Sequence, residues 1–171
     1  MLGLPFHQLV FLLLEIVTCG YSVVRGGVAE RVTAVSFVVA AFMTRVASTF
    51  SPSYQHVVTG VVVIDLVLLA WLLGLAITSA RFWPIPMASM QCCGVLGHFA
   101  KMLGSDILPR AYFATVSIWG FPMLILLGVA TWRHRQRLQR YGIDYPWVWS
   151  LPRRYRDGWS VDELARPLPQ N

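Results

Sequence analysis

The sequence predicts an all-α integral membrane protein, a bundle of five transmembrane helices followed by a basic, aromatic cytoplasmic tail. Composition comes first: 56% of the 171 residues are apolar and only 13% are charged, with a mean hydropathy of +0.58, whereas a soluble domain carries about a quarter charged residues. That balance also excludes a disordered chain, which needs low hydrophobicity and high charge. The second observation is the pattern. Five apolar stretches of 19 to 23 residues run Phe6 to Val24, Arg31 to Phe50, His56 to Thr78, Ile85 to Leu103 and Ala111 to Trp132. At a rise of about 1.5 Å per residue, each helix reaches about 30 Å, the hydrocarbon thickness of a bilayer. Third, strands are excluded because no ten-residue alternating segments occur, and only helices or closed barrels satisfy the backbone in lipid.

The first stretch reads as a retained helix, not a cleaved leader. It lacks a positive n-region, carries Glu15 mid-run and has no A-x-A-like site after it. The second contains Arg45, with Thr44, Ser48 and Thr49 making its end polar. The third contains Asp65 and the pair Ala70 and Gly74, four residues apart; the fourth repeats small residues at Ser89, Cys93 and Gly97 and also holds His98 and Lys101. Small residues at this spacing let helices approach closely, so these five are the expected helix-packing positions. In the fifth stretch, Pro122 removes one backbone donor and predicts a kink. Links of Arg25 to Glu30, Ser51 to Gln55, Ser79 to Pro84 and Gly104 to Arg110 leave no room for an extramembrane domain. The chain divides into a membrane domain, 1–140, and a tail, 141–171.

Charge predicts the orientation. Thirteen arginines and Lys101 stand against eight acids, and eight of the arginines follow residue 132. Basic ends stay on the cytoplasmic side, so the dense cluster Arg133 to Arg140 places the tail inside and the N-terminus outside, in a bacterial inner membrane. Arg25, Arg31 and Arg81 then fall on the cytoplasmic side as well. Arginines that flank apolar spans are topogenic, and no nucleic-acid partner is expected. The three cysteines, Cys19, Cys92 and Cys93, show neither zinc nor disulfide-framework spacing, and no metal site is expected.

Function is sought among the polar residues inside the spans. An ionisable side chain there costs about 2.5 to 3.5 kcal/mol on insertion scales and faces protein or a water-filled cavity. Glu15 and Asp65 each lie nine residues from the predicted outer end of their spans, roughly 13.5 Å deep. Protonated carboxyls bonded to a neighbouring helix, a pair with Arg45, and a proton or cation site all fit them. Lys101 snorkels to the outer headgroups. His98, with His7 or His56, offers the two imidazoles that haem b ligation requires, though no cofactor is the leading expectation.

The tail carries Tyr145, Trp147, Trp149, Tyr155 and Trp159 among prolines and arginines, including Arg153 and Arg154. About thirty residues bury no core of their own. These side chains therefore lie on headgroups, on the cytoplasmic helix ends or on another protein, and a capping box at Ser160 to Glu163 predicts a short helix. No catalytic motif is present: neither G-x-S-x-G, H-E-x-x-H, a P-loop nor a dinucleotide fingerprint. The leading expectation is a non-catalytic accessory or scaffolding subunit of a larger membrane complex, with lipids and other membrane subunits as partners. A proton- or ion-coupled transporter subunit using Glu15 and Asp65, and a haem- or quinone-binding subunit using His98, are the alternatives.

Overall fold

In the computed structural model, residues 6–50, 54–103, 118–141 and Trp147 are described. Every regular element among them is an α-helix: α1 Phe6–Arg25, α2 Val28–Phe50, α3 Tyr54–Thr78, α4 Pro84–Leu103 and α5 Gly120–Tyr141. One isolated antiparallel bridge pairs Ser79 with Trp147. The side chains of His7, His56 and Lys101, the segment 104–117, and the tail positions Tyr145, Trp149, Arg153, Arg154, Tyr155, Trp159 and Ser160 lie outside the described residues.

Four helices start or end within a few residues of the bounds that hydropathy predicts. The fifth differs. Within the stretch Ala111 to Trp132 a turn at Trp119 precedes α5, close to the kink predicted at Pro122, and 111–117 lie outside the described residues. Pro122 supplies the reason: without an N–H it cannot bond the carbonyl of Ile118, and its ring crowds that carbonyl. Pro122 therefore sits in the first turn of α5, where a missing donor costs nothing. At its other end α5 runs on through the basic cluster to Tyr141.

The helices neighbour one another in a ring. α1 packs on α2, α2 on α3, α3 on α4, α4 on α5 and α5 back on α1, with α2 also meeting α5 across the middle. Leu72, Met87, Leu124 and Leu127 fill the centre, joined by Ala29, Ala34 and Phe37. Close approaches occur at particular glycines. A Cβ on Gly120 would stand 2.7 Å from the ring of Phe11, which itself packs edge-on against Phe121, and one on Gly60 would touch the Ala47 side chain at 3.4 Å.

Outside this core the polarity is reversed relative to a water-soluble bundle. Leu13, Ile16, Val17 and Val24 on α1, Phe42 on α2, Val67 and Ile77 on α3, Leu96 on α4 and Ile125 on α5 are all exposed. Glu15, Thr18, Ser22, Glu30, Thr33, Arg81, Gln91, His98, Thr131 and His134 are buried. Two helices are long and apolar enough to cross a membrane among the described residues, over Gln8–Arg25 and Thr59–Thr78. α2 and α4 carry more polar side chains in the same length, and α5 spends its last turns on arginines.

This distribution predicts an asymmetry in mutational cost. Leu127→Ala removes a fully covered side chain and should lower the unfolding free energy of the purified protein by about 2 to 5 kcal/mol. Ile77→Ala acts at a side chain that is 79% exposed and should leave the thermal midpoint nearly unchanged. Equal losses for the two in a denaturation series would contradict the packing described.

Candidate functional site

Two buried polar clusters stand out, one at an end of the bundle and one within the α3–α4 seam.

The end cluster is built on Glu30, near the start of α2. Its Oε1 accepts a hydrogen bond from Arg81 Nη1 at 2.7 Å and a second from Trp83 Nε1 at 3.2 Å. Both donors come from the short link between α3 and α4. The other face of the guanidinium meets α5, where Arg81 Nη2 lies 3.2 Å from His134 Nδ1. Arginine has no acceptor, so Nδ1 must accept and carries no proton in this arrangement. Glu30 and Arg81 retain 0% and 2% of their side-chain surface. Glu30 Oε2 has no hydrogen-bond partner among the described residues.

Local chain geometry holds this cluster together. Gly26 N donates to Ser22 O as α1 ends, Arg31 Nε donates back to Gly26 O, and Arg81 N donates to Ser79 Oγ. Gly27 is required by space: a Cβ there would stand 2.9 Å from His134 Cε1 and 3.0 Å from Glu30 Oε2. Ser79 also forms the bridge with Trp147, which is half-buried against the core. One tail residue is therefore seated on the chain's own bundle.

The seam cluster joins α3 to α4. His98 Nε2 lies 2.7 Å from Asp65 Oδ2, while Gln91 Nε2 donates to Asp65 Oδ1 at 3.2 Å and to the Asp65 carbonyl at 3.3 Å. Gln91 and His98 are seven residues apart, two helical turns, so one face of α4 presents both. His98 is covered to 1% and Asp65 keeps 20% of its side-chain surface open.

Elsewhere polarity is satisfied more locally. Thr33, Ser36, Thr49, Thr78, Ser89 and Thr131 each donate to the carbonyl four residues back. Because the Thr131 proton is committed to Leu127 O, Ser22 is the donor in the 2.8 Å hydroxyl contact that ties α1 to α5. Glu15 is buried on α1.

Against the sequence-based candidates, the geometry sorts as follows. Asp65 and His98 form a direct pair across α3 and α4, and Glu15 is buried on α1. Lys101 lies on α4. Ala70, Gly74, Ser89 and Cys93 are exposed on the outside of the bundle, and Gly97 is half-buried. A Cβ on Gly74 would meet nothing within 4 Å. Ser89 and Cys93 line an open apolar groove beside Trp119, with Phe82, Ile85 and Met90. Glu30, Arg81, His134 and Gln91 were missed by sequence reasoning. The first two fall in links where charge reads as topogenic, and a lone acid beside link arginines was the available signal. No protein family, curated protein or solved structure matches the chain.

Removing one member of a buried ion pair strands the other, at a cost of about 3 to 5 kcal/mol. Glu30→Gln and Arg81→Met should each lower stability by that order, and the double variant by clearly less than the sum. Additive losses in the double-mutant cycle would mean the two groups act independently. Gly27→Ala should displace His134 and broaden or shift its ring NMR signals; an unchanged spectrum would contradict the close approach.

Proposed function

We propose that this chain is a multi-pass membrane protein that serves as a non-catalytic accessory or scaffolding subunit of a larger membrane complex. The observation that carries the reading is the reversed polarity: large apolar side chains face outward on all five helices, while the Glu30–Arg81 and Asp65–His98 pairs are turned inward and join separate segments. Soluble monomers rarely expose contiguous apolar surface on this scale, whereas lipid covers it without cost. In this reading the end holding Arg25, Arg31, Arg81 and the α5 arginines is cytoplasmic, by the charge asymmetry.

Support for a partner comes from the outward small residues. Ala70 and Gly74 on α3, and Ser89 and Cys93 in the α4 groove, offer surfaces where another helix backbone approaches closely without displacing this chain's own packing. The tail beyond Tyr141, rich in Trp, Tyr and Arg, has the composition of an interface. Trp147, seated against the core, favours docking that begins on the chain's own cytoplasmic helix ends and extends to the partner. The haem alternative loses support at His98, whose Nε2 already faces Asp65.

Native capture from membranes in mild detergent tests this. A stoichiometric partner should co-purify with the parent chain and be lost from a Gly74→Leu/Ser89→Leu variant of unchanged thermal stability. A particle with the mass of the chain and its detergent alone would remove the subunit reading. Truncation after Arg140 should preserve insertion and lower recovery of the complex. A reporter fused after Asn171 should be active only as a cytoplasmic fusion; periplasmic activity would reverse the orientation.

A further inference from the structure

We propose that the arginine-bearing end of the bundle is a collar that binds the headgroups of anionic phospholipids in preference to zwitterionic ones. The proposal rests on the membrane reading above and names the lipid chemistry which that reading leaves open.

The net charge of the chain is concentrated at this end. A formal charge of +6 equals that of the six arginines Arg25, Arg31, Arg133, Arg135, Arg137 and Arg140. The rest of the chain balances. Arg81 is held by Glu30, the tail 141–171 has four arginines and four acids, and Arg45, Lys101 and Arg110 are matched in number by Glu15, Asp65 and Asp106. Because Glu30 is sealed inside with Arg81, it offers no carboxylate to the arginines on the outside.

Helix register brings the collar to one depth. α1 and α5 run parallel, with Thr18 against Gly128, Ser22 bonded to Thr131 and Gly27 close to His134. Counted from the Ser22–Thr131 contact, Trp132 lies one residue on, Arg133 two and Arg25 three, all within about 4.5 Å along the axes. Arg31 stands on the first turn of α2, and its Nε is tied to Gly26 O at 2.9 Å. Its guanidinium is thereby held beside the α1–α2 turn, with the Nη groups left for another acceptor. Arg25, Arg31 and Arg133 are all exposed. Beyond them α5 carries Arg135, Arg137 and Arg140 about 10 Å further, across and just past a headgroup layer about 5 to 7 Å thick.

The neighbours of the collar select a lipid as its partner over a soluble acidic protein. Immediately inward, the outer surface is apolar, with Val24 on α1, Ile77 on α3 and Val129 on α5 all exposed. Trp132, 53% exposed, stands on the border, the position that tryptophan takes at a membrane–water interface. Guanidiniums meet phosphate oxygens two at a time. A zwitterionic headgroup offers the same phosphate but brings its own ammonium, which cancels the charge, so a surplus of unbalanced arginines discriminates in favour of a headgroup with net negative charge.

The test uses the full chain reconstituted in vesicles of phosphatidylcholine mixed with phosphatidylglycerol and then extracted in mild detergent, with the lipid that stays bound measured by mass spectrometry. One arginine at an anionic surface is worth about fivefold, so phosphatidylglycerol should be enriched at least about fivefold over its share of the vesicle. Enrichment should fall as salt rises from about 0.01 to 1 M and the Debye length shrinks from about 30 to 3 Å. It should be lost from Arg25→Gln/Arg31→Gln/Arg133→Gln and kept in Arg153→Gln/Arg154→Gln, which removes charge from the tail. Enrichment that survives the triple variant, or that is lost with the tail variant instead, would overturn the collar; so would an acidic protein partner lost from the triple variant while its bound lipid stays the same. If the triple variant misfolds, the salt series on the parent decides, because enrichment indifferent to salt defeats the proposal by itself. Flotation with vesicles of phosphatidylcholine alone separates the two claims: protein left in the aqueous fraction defeats the membrane reading, whereas a floated protein without phosphatidylglycerol enrichment defeats the collar alone.

Discussion

A guanidinium buried away from water has to be met by charge and hydrogen bonds, and that of Arg81 is met from two helices at once. Glu30 approaches from the start of α2, where Trp83 also donates to it, and His134 arrives on α5, while Ser79 holds the Arg81 backbone N–H. Taking such a pair out of water costs several kcal/mol per ion, repaid only when the geometry is good. The contact is therefore weak evidence for stability and strong evidence for register. A helix that slid by one residue along its axis would move about 1.5 Å, enough to turn a 2.7 Å bond into a stranded charge.

The remaining interior is graded. Most hydroxyls return to their own helix, with Ser22 and Thr131 joining α1 to α5; the Gln91 amide and the His98 imidazole reach one helix over, and the full ionic pair with His134 ties three segments. The hydrophobic contacts of Leu72, Met87, Leu124 and Leu127 supply density but little direction, since apolar packing tolerates many arrangements of similar volume. Direction comes from the polar contacts, which tolerate few.

Much of the architecture was legible from hydropathy, because four apolar runs end where glycine, proline, serine or arginine interrupts them. In the fifth, Pro122 predicts a kink, and a turn at Trp119 precedes α5 there, while 111–117 lie outside the described residues. The site was legible only in pieces. Asp65 and His98 stood out singly, as ionisable groups in apolar helices, but their meeting depends on the rotation of α3 against α4. Helical period alone does not fix that angle. Glu30, Arg81 and His134 were obscured for another reason: at span edges a charged residue is ordinary, and burial, which makes these three unusual, is a property of the assembled ring. The small-residue spacing on α3 and α4 was visible too, although spacing could not say that Ala70, Gly74, Ser89 and Cys93 would face outward.

The order of residues along the chain gives the end cluster a further consequence, in time. Glu30 precedes Arg81 by 51 residues, and Arg81 precedes His134 by another 53. During synthesis the first two helices therefore emerge with an acid whose counter-charge has not yet been made, and the imidazole that completes the contact arrives only with the last described helix. Until Arg81 is made, Glu30 has no counter-charge and the α1–α2 turn depends on water. A chain interrupted before α5 would hold the ion pair and still lack His134 on the far side of the guanidinium.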